Sequence, residues 1–127
     1  MTQKLQLLKF STCTPAAVLP IAPTTIYCDD TAGYVDQTVF FIITRTGDLS
    51  IESTVNWETV DGTAIDGTDY SGGLSGIVTF VVDETQKFIP VDLNTQESDQ
   101  NGLVFYLNLS MPVNAVLGVN GTCYIRG

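Results

Sequence analysis

The sequence contains no histidine and few basic residues. Without an imidazole side chain, its 127 residues cannot form a Ser-His-Asp triad, a Cys-His pair or a histidine-based zinc site. Lys and Arg number 5 against 14 Asp and Glu, so the formal net charge at pH 7 is −9. A chain with this charge repels a phosphate backbone, and we therefore expect no nucleic acid among its partners.

Long apolar runs and closely spaced cysteines are also missing. No uninterrupted apolar run approaches the roughly 20 residues that a membrane-spanning helix needs, so we expect no membrane insertion. The 3 cysteines, Cys13, Cys28 and Cys123, lack the paired spacing of a thiolate metal site. Hydrophobic residues nevertheless make up 44% of the chain, which is too apolar for disorder and fits one folded domain.

The N-terminal segment differs from the remainder of the chain in charge and in residue composition. Residues 1–28 contain Lys4 and Lys9 and no acid, so this segment carries +2 and the remainder −11. Lys9 interrupts the apolar stretch and no small-residue cleavage motif follows, so we do not expect a signal peptide. The prolines that follow, Pro15, Pro20 and Pro23, prevent a long helix or a central strand. The sequence predicts an extended arm over residues 1–26 and a folded body over residues 27–127.

The body consists of short β-prone runs separated by turn signals. These runs cover residues 39–43, 54–59, 77–82, 88–93, 103–109 and 123–126. Pro90 cannot donate to a strand ladder and indicates an edge strand, whereas Trp57 on a middle strand suits the core. About seven strands without a helical period predict an all-β sandwich of two sheets. Cys28 and Cys123 fall in the first and last strands, where either a disulfide or buried thiols would fit.

Several linked motifs in the body resemble those of Calx-β domains. Residues 61–70, DGTAIDGTDY, are similar to the family's DGTA-x-x-G-x-DY signature. TRTG at 44–47, VNW at 55–57, VTF at 78–80, ETQK at 84–87 and FYLNL at 105–109 resemble the flanking motifs. The resemblance covers roughly residues 27–126. It implies an immunoglobulin-like sandwich of seven strands, used in adhesion, in exchanger regulation and as a general interaction module.

The signature also has a purely structural interpretation. Asp61-Gly62 and Asp66-Gly67 are turn pairs that tolerate positive φ. Asp69 can accept hydrogen bonds from nearby backbone N–H groups, and Tyr70 can bury its ring beside them. These residues predict a folded loop corner.

Calcium binding is what the resemblance implies for some members of the family, through acids clustered at one end of the sandwich. Asp29 or Asp30 and Asp69 match two of the places from which those members take ligands. A third place, residues 94–101, here contains mostly amides and hydroxyls, and the acids expected after the last strand are missing. Since Ca²⁺ takes roughly 6–8 oxygen ligands, a full site is not expected. The resemblance leaves one weak ion, held by Asp30, Asp69 and either Glu97 or Asp99.

No nucleophile–base constellation occurs in the sequence, so we expect a structural or binding protein and no enzyme. The apolar side chains of the arm require burial, which stabilises by roughly 1.5–3 kcal/mol for each large side chain. These assembly contacts are Leu5, Leu7, Leu8 and Phe10. We expect a decoration, or cement, subunit on the surface of a virus capsid, bound to the major capsid protein or other assembly subunits and to further copies of itself.

Two other functions stay open at this point. One is a calcium-binding regulatory or adhesion module. The other is an extracellular module that binds carbohydrate or a cell surface through a stacking platform of tyrosines. The candidate platform residues are Tyr27, Tyr34, Tyr70 and Tyr106.

Overall fold

The structure is a computed structural model that describes residues 22–71, 74–94 and 101–127. Within these ranges the chain forms nine β-strands. The strands are β1 (Thr25–Cys28), β2 (Thr31–Tyr34), β3 (Thr38–Thr46), β4 (Ser53–Asp61), β5 (Ser75–Phe80), β6 (Gln86–Asp92), β7 (Val104–Val113), β8 (Val116–Leu117) and β9 (Gly121–Arg126). The described ranges contain no helix with the length and apolarity to cross a membrane.

Two sheets make up the fold, and this confirms the predicted all-β sandwich. One sheet has the order β6-β3-β1-β8 and the other the order β2-β9-β7-β4-β5. The strand that contains Pro90 lies at an edge, as its missing N–H requires. Nine strands replace the expected seven partly because the first one divides: β1 and β2 belong to different sheets, with Asp29 and Asp30 between them. β8 is a two-residue addition.

The predicted arm lies almost wholly outside the described residues. Residues 1–21 are not described, and β1 begins at Thr25, just inside the range 1–26 that the composition assigned to the arm. The arm and its contacts Leu5, Leu7, Leu8 and Phe10 therefore stay predictions.

The core fills the space between the sheets with alternate residues of the longer strands. Val39, Phe41 and Ile43 of β3 are buried, and so are Phe105 and Leu107 of β7 in the opposite sheet. The rings of Phe41 and Phe105 meet edge to face with centroids 5.8 Å apart, a favoured aromatic geometry. This alternation of buried and exposed residues fixes the register of these strands, because a slip of one residue would expose all of these buried side chains.

Trp57 packs against this core from the side, in agreement with its expected packing role. Its side chain is half-buried. Gly76, its partner on β5, leaves room for the indole, since a Cβ at that position would lie 3.1 Å from Nε1.

Arg45 is fully buried at the end of β3, although its TRTG motif indicates a turn. Its guanidinium donates to the carbonyls of Ile51 and Val81 at 2.7 Å and, through Nε, to that of Glu84 at 3.0 Å. It also donates to the Ser53 hydroxyl at 2.8 Å. The side chain thus joins two loops to the sheet, and the turn begins only at Gly47.

Cys28 and Cys123 are buried free thiols. Burial raises the pKa of the Cys123 thiol to about 12, and burial together with the charges of Asp29 and Asp30 raises the pKa of the Cys28 thiol to about 12. Of the two alternatives that the sequence left open, the structure has the buried thiols. Cys13 lies outside the described residues.

Candidate functional site

The connection between β4 and β5 is held by Asp61 and Tyr70. The Tyr70 hydroxyl donates to Asp61 Oδ1 at 2.5 Å, and the same oxygen accepts the Asp66 N–H at 2.9 Å. The Tyr70 ring is stacked on Phe105, with centroids 3.8 Å apart and planes 7° from parallel. Burial, followed by the Asp61 carboxylate, raises the pKa of Tyr70 well above its ordinary value. The hydroxyl therefore stays protonated and donates.

Asp69 is buried in the same connection and stabilises it by hydrogen bonds. Only 6% of its surface is exposed, and its Oδ2 accepts the Ile65 N–H at 2.8 Å. The Asn94 N–H donates to the Asp69 carbonyl at 2.9 Å, which joins the connection to the end of β6. The Asn94 amide reaches the carbonyls of Gly67 and Thr68 at 3.5 and 3.4 Å. These contacts confirm the folded loop corner that the signature predicts.

The predicted calcium ligands are only partly described. Asp30 Oδ1 accepts the Thr122 N–H at 3.0 Å beside β2, whereas Asp69 lies in the connection that follows β4. Strands β9 and β7 stand between β2 and β4 in their sheet. Glu97 and Asp99 lie outside the described residues. Within those that are described, no three acids or cysteines are placed to hold a metal ion. They do not fit a calcium ion by themselves, and the four-residue site stays a prediction.

The outer surface of the four-stranded sheet carries exposed apolar side chains. Phe40 is 51% and Phe88 56% exposed, and they lie on adjacent strands, where Phe40 pairs with Pro90 and Ile42 with Phe88. Tyr27 is half-buried on the same surface. We call this surface, made of Tyr27, Phe40, Ile42, Phe88 and Pro90, the four-stranded face. The sequence indicates this apolar surface, because residues 39–43 are all apolar and a strand with this run is apolar on both of its sides.

The outer surface of the five-stranded sheet carries a group of tyrosines. Tyr34, Tyr106 and Tyr124 are 59%, 36% and 43% exposed, while their strand neighbours Gly33, Phe105 and Cys123 are buried. We call these three residues the tyrosine row. The structure brings together Tyr34 and Tyr106 of the predicted platform and adds Tyr124, which strand alternation beside Cys123 could have revealed.

The prediction is wrong for two residues of the platform, Tyr70 and Tyr27. Tyr70 is 1% exposed, because its ring fills the core and its hydroxyl is bound to Asp61. Tyr27 lies on the other sheet, so it cannot act with Tyr34 and Tyr106.

Comparison with known proteins identifies related sequences and folds. A family model described as the Calx-beta domain matches residues 20–121. The apo-form Calx CBD1 domain is 22% identical with a TM-score of 0.72, over 83% of this chain and 97% of that one. CBD12 from CALX1.2 is 23% identical with a TM-score of 0.68, over 80% and 45%. The sixth cohesin of scaffoldin B from Acetivibrio cellulolyticus, solved with a dockerin, is 12% identical with a TM-score of 0.53, over 83% and 100%. No curated protein sequence matches.

Proposed function

Because the chain belongs to the Calx-beta domain family, we propose that it is a non-enzymatic interaction module that assembles with protein subunits through the four-stranded face. The observation that carries this proposal is the pair of half-exposed phenylalanines, Phe40 and Phe88, on adjacent strands of one sheet. Single exposed apolar residues are ordinary, but a contiguous apolar group on one surface marks an interaction site.

The arm is the counterpart that this face would receive from a neighbouring copy. It carries Leu5, Leu7, Leu8 and Phe10, and its Lys4 and Lys9 are the only charges before Asp29. An apolar, weakly basic segment complements an apolar surface on an acidic body, and attraction between charges is strongest at low salt. Each large side chain that becomes buried contributes roughly 1.5–3 kcal/mol.

Sedimentation velocity of the full chain over a range of concentrations tests this proposal. We expect concentration-dependent self-association that is lost both on deletion of residues 1–21 and in the Phe40→Ser/Phe88→Ser variant. Ile51→Ser is the matched control, because Ile51 is 51% exposed, as Phe40 is, but lies in the connection between β3 and β4. A chain that stays monomeric at every concentration, or variants that associate like the parent, would contradict the proposal.

Decoration of a virus capsid is a specific case of assembly with protein subunits, and it remains a prediction. It requires that the chain joins assembled particles of a major capsid protein, and that deletion of residues 1–21 prevents this. Incorporation that is independent of the arm would remove the arm's role in decoration, and failure of the full chain to join particles would remove the capsid hypothesis. Neither outcome affects the self-association test.

Calcium-dependent regulation or adhesion is the second candidate function. It is supported by the family match and by the likeness in fold to a structure described as the calcium binding domain CBD12 of CALX1.1. The acids that would hold the ion are those the sequence predicts, Asp30, Asp69 and either Glu97 or Asp99. Calorimetric titration of metal-free protein with Ca²⁺ should give heat that disappears in Glu97→Gln/Asp99→Asn. Asp83→Asn is the control, since Asp83 lies in the exposed turn between β5 and β6. No heat and no thermal shift at millimolar Ca²⁺ would rule out this function.

A further inference from the structure

The tyrosine row follows a straight diagonal across three adjacent strands. Tyr124 of β9 pairs with Val104 of β7, so it is offset by two residues from Tyr106. Tyr124 also pairs with Ala32 of β2, so it is offset by two residues from Tyr34. Positions one strand and two residues apart lie roughly 8 Å from each other, so the main-chain positions of the row span about 15 Å. Three tyrosines at a regular offset along one line of the sheet favour a linear ligand.

Packing beneath the row supports the Tyr106 ring and two of the strands that carry the row. A Cβ at Gly62 would lie 2.8 Å from Tyr106 Cε2, so the Tyr106 ring rests directly against the glycine. On the inner side of the same strands, Phe105, Cys123 and Ile125 are at most 1% exposed. The strands that carry Tyr106 and Tyr124 are therefore anchored in the core, and a ligand would meet a surface formed in advance.

A polar pocket continues the diagonal beyond Tyr106. Tyr106 pairs with Val60, and Glu58, two residues earlier on β4, pairs with Asn108 and Ser75. Glu58 is thus the next position on the line from Tyr34 through Tyr124 and Tyr106. A cavity of about 320 Å³ opens here, and its polar side chains are Asn56, Glu58, Ser75 and Ser110. Amide, carboxylate and hydroxyl groups provide hydrogen-bond donors and acceptors side by side.

The combination of rings and polar groups indicates the class of ligand. Sugar rings present apolar C–H faces that stack on aromatic rings, and hydroxyls around their edges that bond to amides, carboxylates and hydroxyls. The net charge of −9 and the carboxylate of Glu58 disfavour an anionic chain. A protein partner is favoured instead by the opposite surface, where the most exposed large side chains are the apolar Phe40 and Phe88.

We propose that the outer face of the five-stranded sheet binds a linear, uncharged oligosaccharide, whose sugar rings stack on Tyr34, Tyr124 and Tyr106 and whose end enters the pocket beside Glu58. This binding is separate from assembly through the four-stranded face. The sugar sequence and linkage follow from the probe that binds.

Calorimetry and ¹H–¹⁵N NMR on the full chain test the proposal with four neutral hexasaccharides: cellohexaose, maltohexaose, mannohexaose and N-acetylchitohexaose. A heparin-derived hexasaccharide is the anionic probe. We expect at least one neutral probe to bind, with shifts of the amides of β2, β9 and β7, and the corresponding disaccharide to bind more weakly. Tyr124→Ala should weaken binding about tenfold, the loss typical of removing one stacking ring. Val119→Ser, at a position that is 68% exposed outside this face, should bind like the parent.

Three outcomes would overturn the proposal. These are no binding of any neutral hexasaccharide, binding that Tyr124→Ala and Tyr34→Ala leave unchanged, and preference for the anionic probe. Equal melting temperatures of the parent and the tyrosine variants show that a loss of binding is not a loss of fold. Self-association through the four-stranded face is measured separately, so either proposal can fail without the other.

Discussion

Among single residues, Arg45 makes the largest concentration of buried polar contacts in the described part of the chain. Its side chain is 0% exposed and donates to three main-chain carbonyls and one hydroxyl. Its guanidinium carbon also lies 5.5 Å from the centre of the Phe80 ring. A buried cation is tolerated here because the acceptors are fixed by the loops that it joins.

We predict that Arg45→Leu destabilises the fold by about 3–5 kcal/mol, because buried carbonyls lose their donor. Chemical denaturation measures this change. Arg126→Leu, at an exposed position on β9, should stay within about 0.5 kcal/mol of the parent. A loss below about 1 kcal/mol for Arg45→Leu would mean that water replaces the guanidinium without cost.

The buried thiols predict a dependence of stability on alkaline pH. The pKa of Cys28 and Cys123 rises from 9.0 to about 12 on folding, so the unfolded chain ionises first. The folded state then binds more protons, and the free energy of unfolding falls as pH increases above about 9.

We expect native thiols to react with a disulfide reagent at pH 8 only on unfolding, measured in a Cys13→Ser background. Rapid reaction of both thiols in the native state would contradict this.

At the scale of elements, the connection between β4 and β5 shows what the sequence could predict. The turn pairs and the acceptor role of Asp69 follow from residue type, because aspartate caps nearby N–H groups wherever a turn presents them. The stacking of Tyr70 on Phe105 could not be predicted from residue type. It depends on β7, which carries Phe105, lying beneath the Tyr70 ring in the folded chain.

The two outer faces were harder to predict for a related reason. Alternation within a strand separates its two sides, but it does not say which strands are neighbours in a sheet. Tyr34, Tyr106 and Tyr124 are far apart in sequence and meet only because β2 and β7 both pair with β9. The sandwich, the edge position of Pro90 and the half-buried Trp57 needed no such knowledge, since each follows from its own strand.

The hydrogen bond between Tyr70 and Asp61 gives a prediction for this connection. Tyr70→Phe keeps the stacked ring and removes the hydroxyl, so we expect a loss of about 1 kcal/mol. Hydrogen exchange of the Asp66 amide, which shares the Asp61 oxygen, should accelerate in the same variant. Tyr124→Phe is the control on the exposed surface. Unchanged exchange in Tyr70→Phe would show that the connection is held by Asp69 alone.

At the scale of the whole molecule, the excess of negative charge dominates the electrostatics. Lys and Arg number 5 against 14 acids, and the described residues contain a single ion pair, between Lys87 and Glu84 at 3.0 Å. Most carboxylates are thus compensated by solvent and by main-chain donors, and the body repels itself. Such repulsion extends over about 10 Å at 0.1 M salt and is screened at higher concentrations.

We therefore predict that salt stabilises this fold. Raising NaCl from about 0.01 to 1 M shortens the screening length from about 30 to 3 Å, so the melting temperature should increase. Deletion of residues 1–21 removes Lys4 and Lys9 and changes the net charge to −11, which should enlarge the increase. Potassium glutamate in place of NaCl separates screening from binding of chloride, because both salts screen equally. A melting temperature that falls with either salt would show that attraction between the basic residues and the acidic body outweighs repulsion among the acids.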